Sequence, residues 1–319
     1  MAFVILPHSL VSSVAPPAPV PRRRRRRTKL QRRQTRLGWL LLVPALAVVA
    51  FVAIYPLGKT VYQSFTNQEF LGLQKTKWVG LDNYHQLIHD TIFKDTVVLT
   101  IKFTAITVGF EFVLGLIVAL VVNSNFRGRG AMRAVMLVPW AIPTVVAAKM
   151  WQWMFDDHTY GVINDLGLRT HILSHPHAWL AQSATQLASA CAVDIWKTTP
   201  FVALLLLAGL QVIPKDLYEA ASVDGANKLQ QFWRITLPLL RPAILVTLIF
   251  RTLDALRVFD IFAVFWGNRL GIQPMAVYNQ STIVQDNHVG YGSAMSVAIF
   301  LIISLFVVIY VTFVRVTEE

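Results

Sequence analysis

Charged residues stand at regular intervals within an apolar stretch in the last quarter of the sequence. They follow one another every three residues with alternating sign: Arg251, Asp254, Arg257 and Asp260. Neighbours at this spacing can form ion pairs on the surface of a helix. Because each step of three residues falls about 60° short of a full turn, a continuous helix winds the four side chains around its axis. We therefore expect that they do not all face one pore.

Other ionisable residues also interrupt apolar runs. Asp194 and Lys197 are three residues apart, and Lys102, Glu111 and Lys149 stand singly. A charge at the centre of a lipid bilayer costs about 2.5–3.5 kcal/mol on insertion scales, so such groups face protein or water. Two interpretations stay open. The charges form a neutral ladder that joins helices, or some of them line a path and hydrogen-bond a solute.

A metal site is not expected. His171, His175 and His177 are close in sequence, but Pro176 breaks any helix that would align them. The single cysteine, Cys191, excludes a disulfide within the chain and any metal cluster built from cysteines.

A nucleotide site is not expected either. Gly58-Lys59-Thr60 resembles the end of a phosphate-binding loop, but Ala53 occupies the position of its first glycine. The acidic residues are not clustered beside a phosphate-binding group. The sequence thus predicts no catalytic residue and no cofactor in this chain.

The composition indicates a membrane protein. Of 319 residues, 55% are hydrophobic and 14% are charged, whereas soluble domains are about 25% charged. A membrane-spanning helix needs about 20 mostly apolar residues. Six stretches meet that length and predict an all-α fold of six transmembrane helices: 37–57, 96–123, 134–155, 184–213, 237–266 and 293–314.

The distribution of basic residues predicts the orientation. Ten of the 29 Lys and Arg residues lie in residues 1–36, and the remaining 19 nearly balance the 17 acidic residues. Loop 124–133 holds three arginines and no acid, whereas loop 156–183 is mainly acidic. Basic loops stay on the cytoplasmic side. We expect both termini inside, and a disordered cytoplasmic tail over 1–36 that contacts anionic lipid rather than nucleic acid.

The loop between the fourth and fifth spans, 214–236, has a distinct pattern. Residues 215–222 can form a short amphipathic helix with Leu217, Tyr218 and Ala221 on one side. Gly225 permits a sharp turn after it. Pro238 and Pro242 suit the opening of the next helix.

The string in this loop is specific. Glu219-Ala220-Ala221 is followed by Gly225 and, after nine intervening residues, by Ile235 and then Leu237-Pro238. It resembles the "EAA" loop of permeases in binding-protein-dependent ABC importers. Trp196–Pro200 and Arg251–Asp260 are similar to the sugar-uptake branch, above all to maltose/trehalose-type permeases. The resemblance covers about residues 37–316, and it implies the type I ABC importer permease fold with a cytoplasmic coupling helix.

The resemblance also implies roles for residues. In the loop, a coupling helix would dock on the ATPase subunit, with Glu219 pairing with a basic group, Ala220 and Ala221 permitting close approach, and Asp224 and Gly225 forming the turn. Positions facing the substrate in maltose-type permeases correspond to seven residues here: Lys197, Thr198, Phe201, Arg251, Asp254, Ala255 and Val258.

The implied function is import of a sugar, such as the disaccharides trehalose or maltose, across the bacterial inner membrane. The implied partners are a second homologous permease, two cytoplasmic subunits that bind ATP and Mg²⁺, and an external sugar-binding protein. Alternatives remain: a permease of the same family for another solute, such as glycerol phosphate, or a polytopic membrane enzyme. An ion-coupled transporter usually has more spans and internal repeats.

Overall fold

The computed structural model describes residues 29–124 and 127–318, and these residues form helices joined by turns and short loops. Extended structure in this part of the chain is limited to two isolated bridges, Thr66 with Trp78 and Glu69 with His288. The predicted all-α class is thus confirmed. The helices are α1 Lys29–Val49, α2 Tyr55–Gln63, α3 Asp82–His89, α4 Thr91–Asn123, α5 Arg129–Met136, α6 Val138–Ala141, α7 Thr144–Met154, α8 Val162–Arg169, α9 Ser183–Val212, α10 Lys215–Val223, α11 Lys228–Gln231, α12 Leu237–Ala255, α13 Asp260–Trp266, α14 Met275–Val284 and α15 Val289–Glu318.

The first helical stretch corrects the expected extent of the basic tail. We predicted disorder over 1–36, but α1 already begins at Lys29. Residues 1–28 of that tail lie outside the described residues. A π-helical segment, Ala50–Ile54, connects α1 to α2. Side chains such as Leu41 and Phe51 are more than two-thirds exposed, as expected for a helix that contacts lipid.

Four unbroken helices are long and apolar enough to cross a membrane: Arg33–Gln63, Thr91–Asn123, Ser183–Val212 and Val289–Tyr310. The predicted single span 134–155 is instead two helical segments that meet at an angle of 88°. Pro143 lacks an amide hydrogen and disfavours helical geometry at the residue before it, and Ile142 is accordingly extended, with ψ of 130°. If this bent pair is one span, the count becomes five, so the predicted six continuous spans are not confirmed.

The predicted span 237–266 is also divided. Helix α12 ends at Ala255 and α13 begins at Asp260, after a tight turn in which the Arg257 amide donates to the Asp254 carbonyl at 3.1 Å. Neither proline nor glycine occurs in this turn. Leu256 and Ile261, on its two sides, are each only 1% exposed. Tertiary packing of these side chains therefore accounts for a break that local sequence does not signal.

The core of residues 57–318 is centred on the long contact between α4 and α9. Toward one end, Phe103 of α4 packs edge-on against Phe262 of α13, with ring centroids 5.3 Å apart. Toward the other end, Ala119 of α4, Leu206 of α9 and Leu240 of α12 are each fully buried in a second cluster. Helices α4, α9 and α12 therefore form the framework that positions the site described below.

The beginning of α4 is joined to the C-terminal helices by one carboxylate. Asp90 caps α4 by accepting a hydrogen bond from the Phe93 amide at 3.0 Å. Its second oxygen accepts from the hydroxyls of Tyr278, at 2.8 Å, and Tyr291, at 2.6 Å. Burial opposes ionisation of Asp90, but these hydrogen bonds stabilise the carboxylate more, so its pKa lies below the ordinary value. The charged form of Asp90 thereby fixes α14 and α15 to the start of α4.

Close packing of α4 on α9 gives a stability prediction. A Cβ atom added at Gly115 would lie 2.6 Å from Cγ1 of Val202, so Gly115→Ala should separate the two helices and cost about 1–3 kcal/mol. Gly109 is on the same helix with nothing within 4 Å of an added Cβ. Gly109→Ala should be neutral or slightly stabilising because alanine favours helix. Thermal unfolding of the two purified variants measures the difference, and equal melting temperatures would contradict the packing argument.

Candidate functional site

A buried ionic cluster joins three helices at the middle of the core. Arg251 of α12 donates from Nε and Nη2 to the Glu111 carboxylate of α4, and the Nη2–Oε1 distance is 3.0 Å. Nη2 also donates to Asp194 of α9. Nη1 donates to Asp254, one turn along α12, at 2.8 Å. One guanidinium therefore connects carboxylates from α4, α9 and its own helix.

The burial of this cluster makes the pairing necessary. The side chains of Glu111 and Arg251 are 0% and 3% exposed, whereas that of Asp194 is 10% and that of Asp254 is 75% exposed. Thr198 donates a further hydrogen bond to Glu111. A buried charge without a partner costs several kcal/mol. Each buried member of the cluster thus needs the others to neutralise its charge. Asp254 is the member that is exposed at a surface.

That surface belongs to a cavity of about 290 Å³. Its wall comes from the α6–α7 bend, α9, the end of α12 and the turn before α13. As many cationic as anionic side chains line it: Lys197, Arg251 and Arg257, and Asp194, Asp254 and Asp260. Trp140 provides an aromatic wall, and its carbonyl accepts a hydrogen bond from Nζ of Lys197 at 3.3 Å. The cavity is therefore polar and balanced in charge.

The expectation that the four alternating charges cannot all face one pore is wrong. It assumed a continuous helix, but the chain turns sharply between Ala255 and Asp260. The turn brings Arg257 and Asp260 to the same cavity as Arg251 and Asp254. Of the three i,i+3 pairs within this series, only Arg251 with Asp254 forms an ion pair among the described residues. Arg251 therefore joins helices through ion pairs, as the ladder interpretation expected, whereas Arg257 and Asp260 line the cavity.

Most of the residues assigned to a substrate path by resemblance meet at this cavity. Six of the seven line it: Lys197, Thr198, Arg251, Asp254, Ala255 and Val258. The seventh, Phe201, stacks on Trp140 with ring centroids 5.6 Å apart and planes 10° apart. Phe201 thus supports the aromatic wall from behind.

Sequence reasoning left two contributors unassigned. Glu111 was recognised as a carboxylate that needs a partner, but its partner is 140 positions away in the chain. Trp140 precedes a proline-induced bend, and the bend turns it toward the cavity. The charge of Glu111 within an apolar run could have indicated a role in the site. Trp140 gave no indication of such a role beyond its aromatic ring.

The coupling-type loop forms the short helix expected for it. Helix α10, Lys215–Val223, leaves Glu219 and Ala220 exposed and Ala221 half-buried. Asp224 ends the helix, and Gly225 follows with φ of +80°, a conformation that residues with side chains rarely adopt. The five assigned loop residues therefore lie together on one turn and the helix before it.

A few polar side chains give this loop a fixed shape. The hydroxyls of Tyr218 and Thr236 are 2.9 Å apart, which joins α10 to the segment before α12. Gln231, only 3% exposed, donates to Oγ of Ser222 at 2.9 Å and to the Ala226 carbonyl at 3.0 Å. Sequence reasoning did not identify Gln231. A glutamine in a polar loop carries no sign of burial.

Apolar side chains remain exposed on the loop. Val223 is 88% exposed, Leu229 is 68% and Trp233 is 59%. Large apolar side chains grouped in this way mark surfaces that another protein covers. The loop thus presents Glu219 within a surface suited to a protein partner.

The histidines of the loop after α8 do not come together. His175 contacts Oγ of Ser174 at 3.0 Å, and the ring of His177 packs edge-on against Trp179. Among the described residues, the potential metal ligands that do gather are Asp156, Asp157 and His158, at the surface. Asp156 accepts hydrogen bonds from the amide and the ring of His158, and the ring hydrogen bond, together with the charge of Asp157, raises the pKa of that histidine.

Comparison with known proteins identifies similar sequences and a similar fold. Residues 111–318 match the family model described as the binding-protein-dependent transport system inner membrane component. The chain is 38% identical over 288 residues to the trehalose/maltose transport system permease protein of Thermococcus litoralis, which covers 89% of this chain and 95% of that protein. It is also 38% identical over 285 residues to the sulfoquinovosyl glycerol transport system permease protein of Agrobacterium fabrum, covering 88% and 90%.

A solved structure has the same fold. A bacterial ABC transporter involved in the import of the acidic polysaccharide alginate contains a chain that superposes with a TM-score of 0.77. The superposition covers 92% of this chain and 100% of that chain, at 22% sequence identity. This likeness confirms the predicted type I importer permease fold.

The ionic cluster gives a second stability prediction. Arg251→Met leaves Glu111 and Asp194 buried without a positive partner, so it should cost about 3–5 kcal/mol of stability. Arg257→Met removes the same charge from a residue without an ion pair in the described chain and should cost much less. The double variant Arg251→Met/Glu111→Gln should recover part of the loss. The melting temperatures of the three variants measure these changes in stability. Equal destabilisation by Arg251→Met and Arg257→Met would refute the pairing of Arg251 with Glu111 and Asp194.

Proposed function

We propose that this chain, which belongs to the binding-protein-dependent transport system inner membrane component family, moves an uncharged disaccharide such as trehalose or maltose through the cavity at Arg251. The coarser assignment rests directly on the comparisons. The chain is the permease subunit of an ABC sugar importer, a multi-pass protein of the inner membrane, and it is not itself an enzyme. The alternative of a polytopic membrane enzyme is therefore excluded.

The charge balance of the cavity is the observation that supports an uncharged sugar. Three cationic and three anionic side chains line it, and the most buried of them, Arg251, is already bonded to Glu111 and Asp194. An anion such as glycerol phosphate would require an excess of positive charge. Hydroxyl groups, in contrast, can donate to Asp254 and Asp260 and accept from Lys197 and Arg257.

The shape of the cavity is consistent with part of a sugar. Ligand pockets are typically about 300–1,000 Å³, and this one is close to the lower limit at about 290 Å³. Trp140, stacked on Phe201, offers an apolar face beside the polar groups. Sugars present both apolar ring faces and hydroxyls, so a wall of this composition can orient one. The name of the Thermococcus relative supports trehalose or maltose, whereas the Agrobacterium relative is named for another solute.

The proposed sidedness follows from the contact between the basic segment after α4 and the loop 214–236. Ser124 and Arg129, at the end of α4 and the start of α5, line a common cavity with Lys215 and Lys228 of the coupling loop. Residues 124 and 127–133 and the loop 214–236 are thus on one face of the protein. Their basic residues favour the cytoplasmic side, which leaves both termini cytoplasmic in the predicted topology.

The proposed mechanism needs partners that supply energy and substrate. A second homologous permease completes the translocation path, and an external binding protein delivers the sugar. Two cytoplasmic subunits bind ATP and Mg²⁺, and their closure moves α10 and the helices attached to it. The chain then alternates between inward- and outward-facing arrangements, each favoured by different partner contacts.

Substrate choice is tested by uptake of radiolabelled sugars. Reconstituted complex should import trehalose or maltose faster than sucrose or glycerol phosphate. Asp254→Asn replaces a charged carboxylate acceptor by a neutral amide, and Lys197→Ala removes a donor from the cavity wall, so each should reduce uptake about tenfold or shift the preference among the sugars. Lys102→Ala, an exposed lysine on α4 that does not line the cavity, is the control. Wild-type kinetics for all sugars in both cavity variants would contradict the proposed path.

Coupling is tested separately at α10. Glu219→Ala should abolish uptake while the subunit still inserts, because it removes the charge proposed to pair with the ATPase. Gly225→Asp should act likewise, since φ of +80° strains any residue with a side chain. Asp216→Ala removes a carboxylate from the first turn of the same helix and should retain uptake. Uptake and ATP hydrolysis are measured together in the reconstituted complex, and wild-type coupling in Glu219→Ala would refute the assignment.

A further inference from the structure

A second cavity, of about 760 Å³, lies away from the sugar site, where α4 and α9 end. Its wall also includes the start of α5 and parts of the coupling loop. Four of the twelve lining residues are cationic and none is a carboxylate: Arg129, Arg133, Lys215 and Lys228. Positive charges converge here from three separate segments of the chain.

Three of these cations, Arg133, Lys215 and Lys228, lack a carboxylate partner among the described residues, since no carboxylate oxygen there lies within 4 Å of them. Nε of Arg133 is buried and has no hydrogen-bond acceptor, and an unsatisfied buried donor is costly. Nζ of Lys228 contacts only the neutral amide oxygen of Gln231, at 3.4 Å. An anion with several acceptor oxygens would reduce the repulsion between these cations and would accept a hydrogen bond from Nε of Arg133.

The surroundings of the cavity indicate where that anion comes from. The cavity is at the ends of two membrane-spanning helices, at Asn123 and Val212, which is the level of lipid headgroups. Next to the arginines of α5, Val135 is 69% exposed, and Val138 is 56% exposed just beyond that helix. Val212, on the cavity wall, is 81% exposed. Basic and apolar residues side by side are typical of segments at the headgroup boundary.

We propose that this cavity binds the phosphate headgroup of an anionic phospholipid from the cytoplasmic leaflet. The inference rests on the sidedness proposed above. Arg133 and Lys228 bind the phosphate oxygens, and the acyl chains lie along Val135, Val138 and Val212. Because Arg133 belongs to α5 and Lys228 to the coupling loop, the bound lipid joins two segments that no ion pair in the described chain connects.

The ATPase subunit is a less suitable occupant. Glu219 and Ala220, the residues proposed to meet it, do not line the cavity. An acidic side chain from a soluble subunit would also leave Val135 and Val138 uncovered. Free phosphate would satisfy the cations but gain nothing from these apolar residues. A lipid alone matches both parts of the surface.

Native mass spectrometry of the purified full-length chain tests the proposal with phosphatidylglycerol and phosphatidylcholine as probes. The wild-type chain should retain phosphatidylglycerol in preference to phosphatidylcholine. Arg133→Gln/Lys228→Gln should weaken that binding about tenfold or more, since each basic residue near an anionic lipid contributes substantially. Arg234→Gln/Arg241→Gln removes the same charge from exposed residues outside the cavity and is the control. Added phosphatidylglycerol should raise the melting temperature of the wild type and the control but not of the cavity variant.

Three results would overturn the proposal. Equal lipid loss in the control would mean that general surface charge holds the lipid. Displacement of phosphatidylglycerol by inorganic phosphate would assign the cavity to the free anion. If Arg133→Gln/Lys228→Gln left lipid binding by the chain unchanged but released the ATPase subunit from the assembled complex, the cavity would be assigned to a protein contact. Because lipid retention is measured without transport, these results are independent of the sugar-uptake test.

Discussion

The pairing of Arg251 with carboxylates from two other helices is the interaction on which the site depends. Glu111 is on α4, Asp194 is on α9, and the guanidinium between them comes from α12. None of the three could remain charged at this depth alone. The ion pairs of Arg251 with Glu111 and Asp194 hold the three helices together. Of the carboxylates paired with Arg251, Asp254 is the exposed one, and the cavity opens beside it. In the proposed function, stability and solute recognition therefore depend on the same side chains.

The turn between α12 and α13 gives this cluster its surroundings. A continuous helix would have carried Arg257 and Asp260 away from Asp254. The turn instead brings both residues to the cavity, where they are its third cation and its third anion. On the opposite wall, the bend after Ala141 brings Trp140 beside Lys197. Two interruptions in apolar helices thus create a polar space that unbroken spans would have closed.

The sequence predicted those parts of the protein in which function is carried locally. The short helix and the turn of loop 214–236 were predicted because their pattern lies within about twenty consecutive positions, and α10 and Gly225 have the expected geometry. The cavity residues were assigned by resemblance to permeases of known type, and six of them meet at one wall. The partner of Glu111 was beyond reach because a contact across 140 positions depends on the whole packing. Pro143 was visible in the sequence, but the break after Ala255, without proline or glycine, had no local sign.

The hydrogen bonds inside the coupling loop have a mechanical consequence. A structural element transmits force only if it does not bend. The hydrogen bonds of Gln231 to Ser222 and Ala226 stiffen the loop, because they join α11 to the end of α10 and the turn after it. The contact of Tyr218 with Thr236 extends it to the base of α12. In the proposed mechanism, a displacement of α10 is therefore transmitted to α12, and through Arg251 to α4 and α9, instead of being absorbed as deformation within the loop.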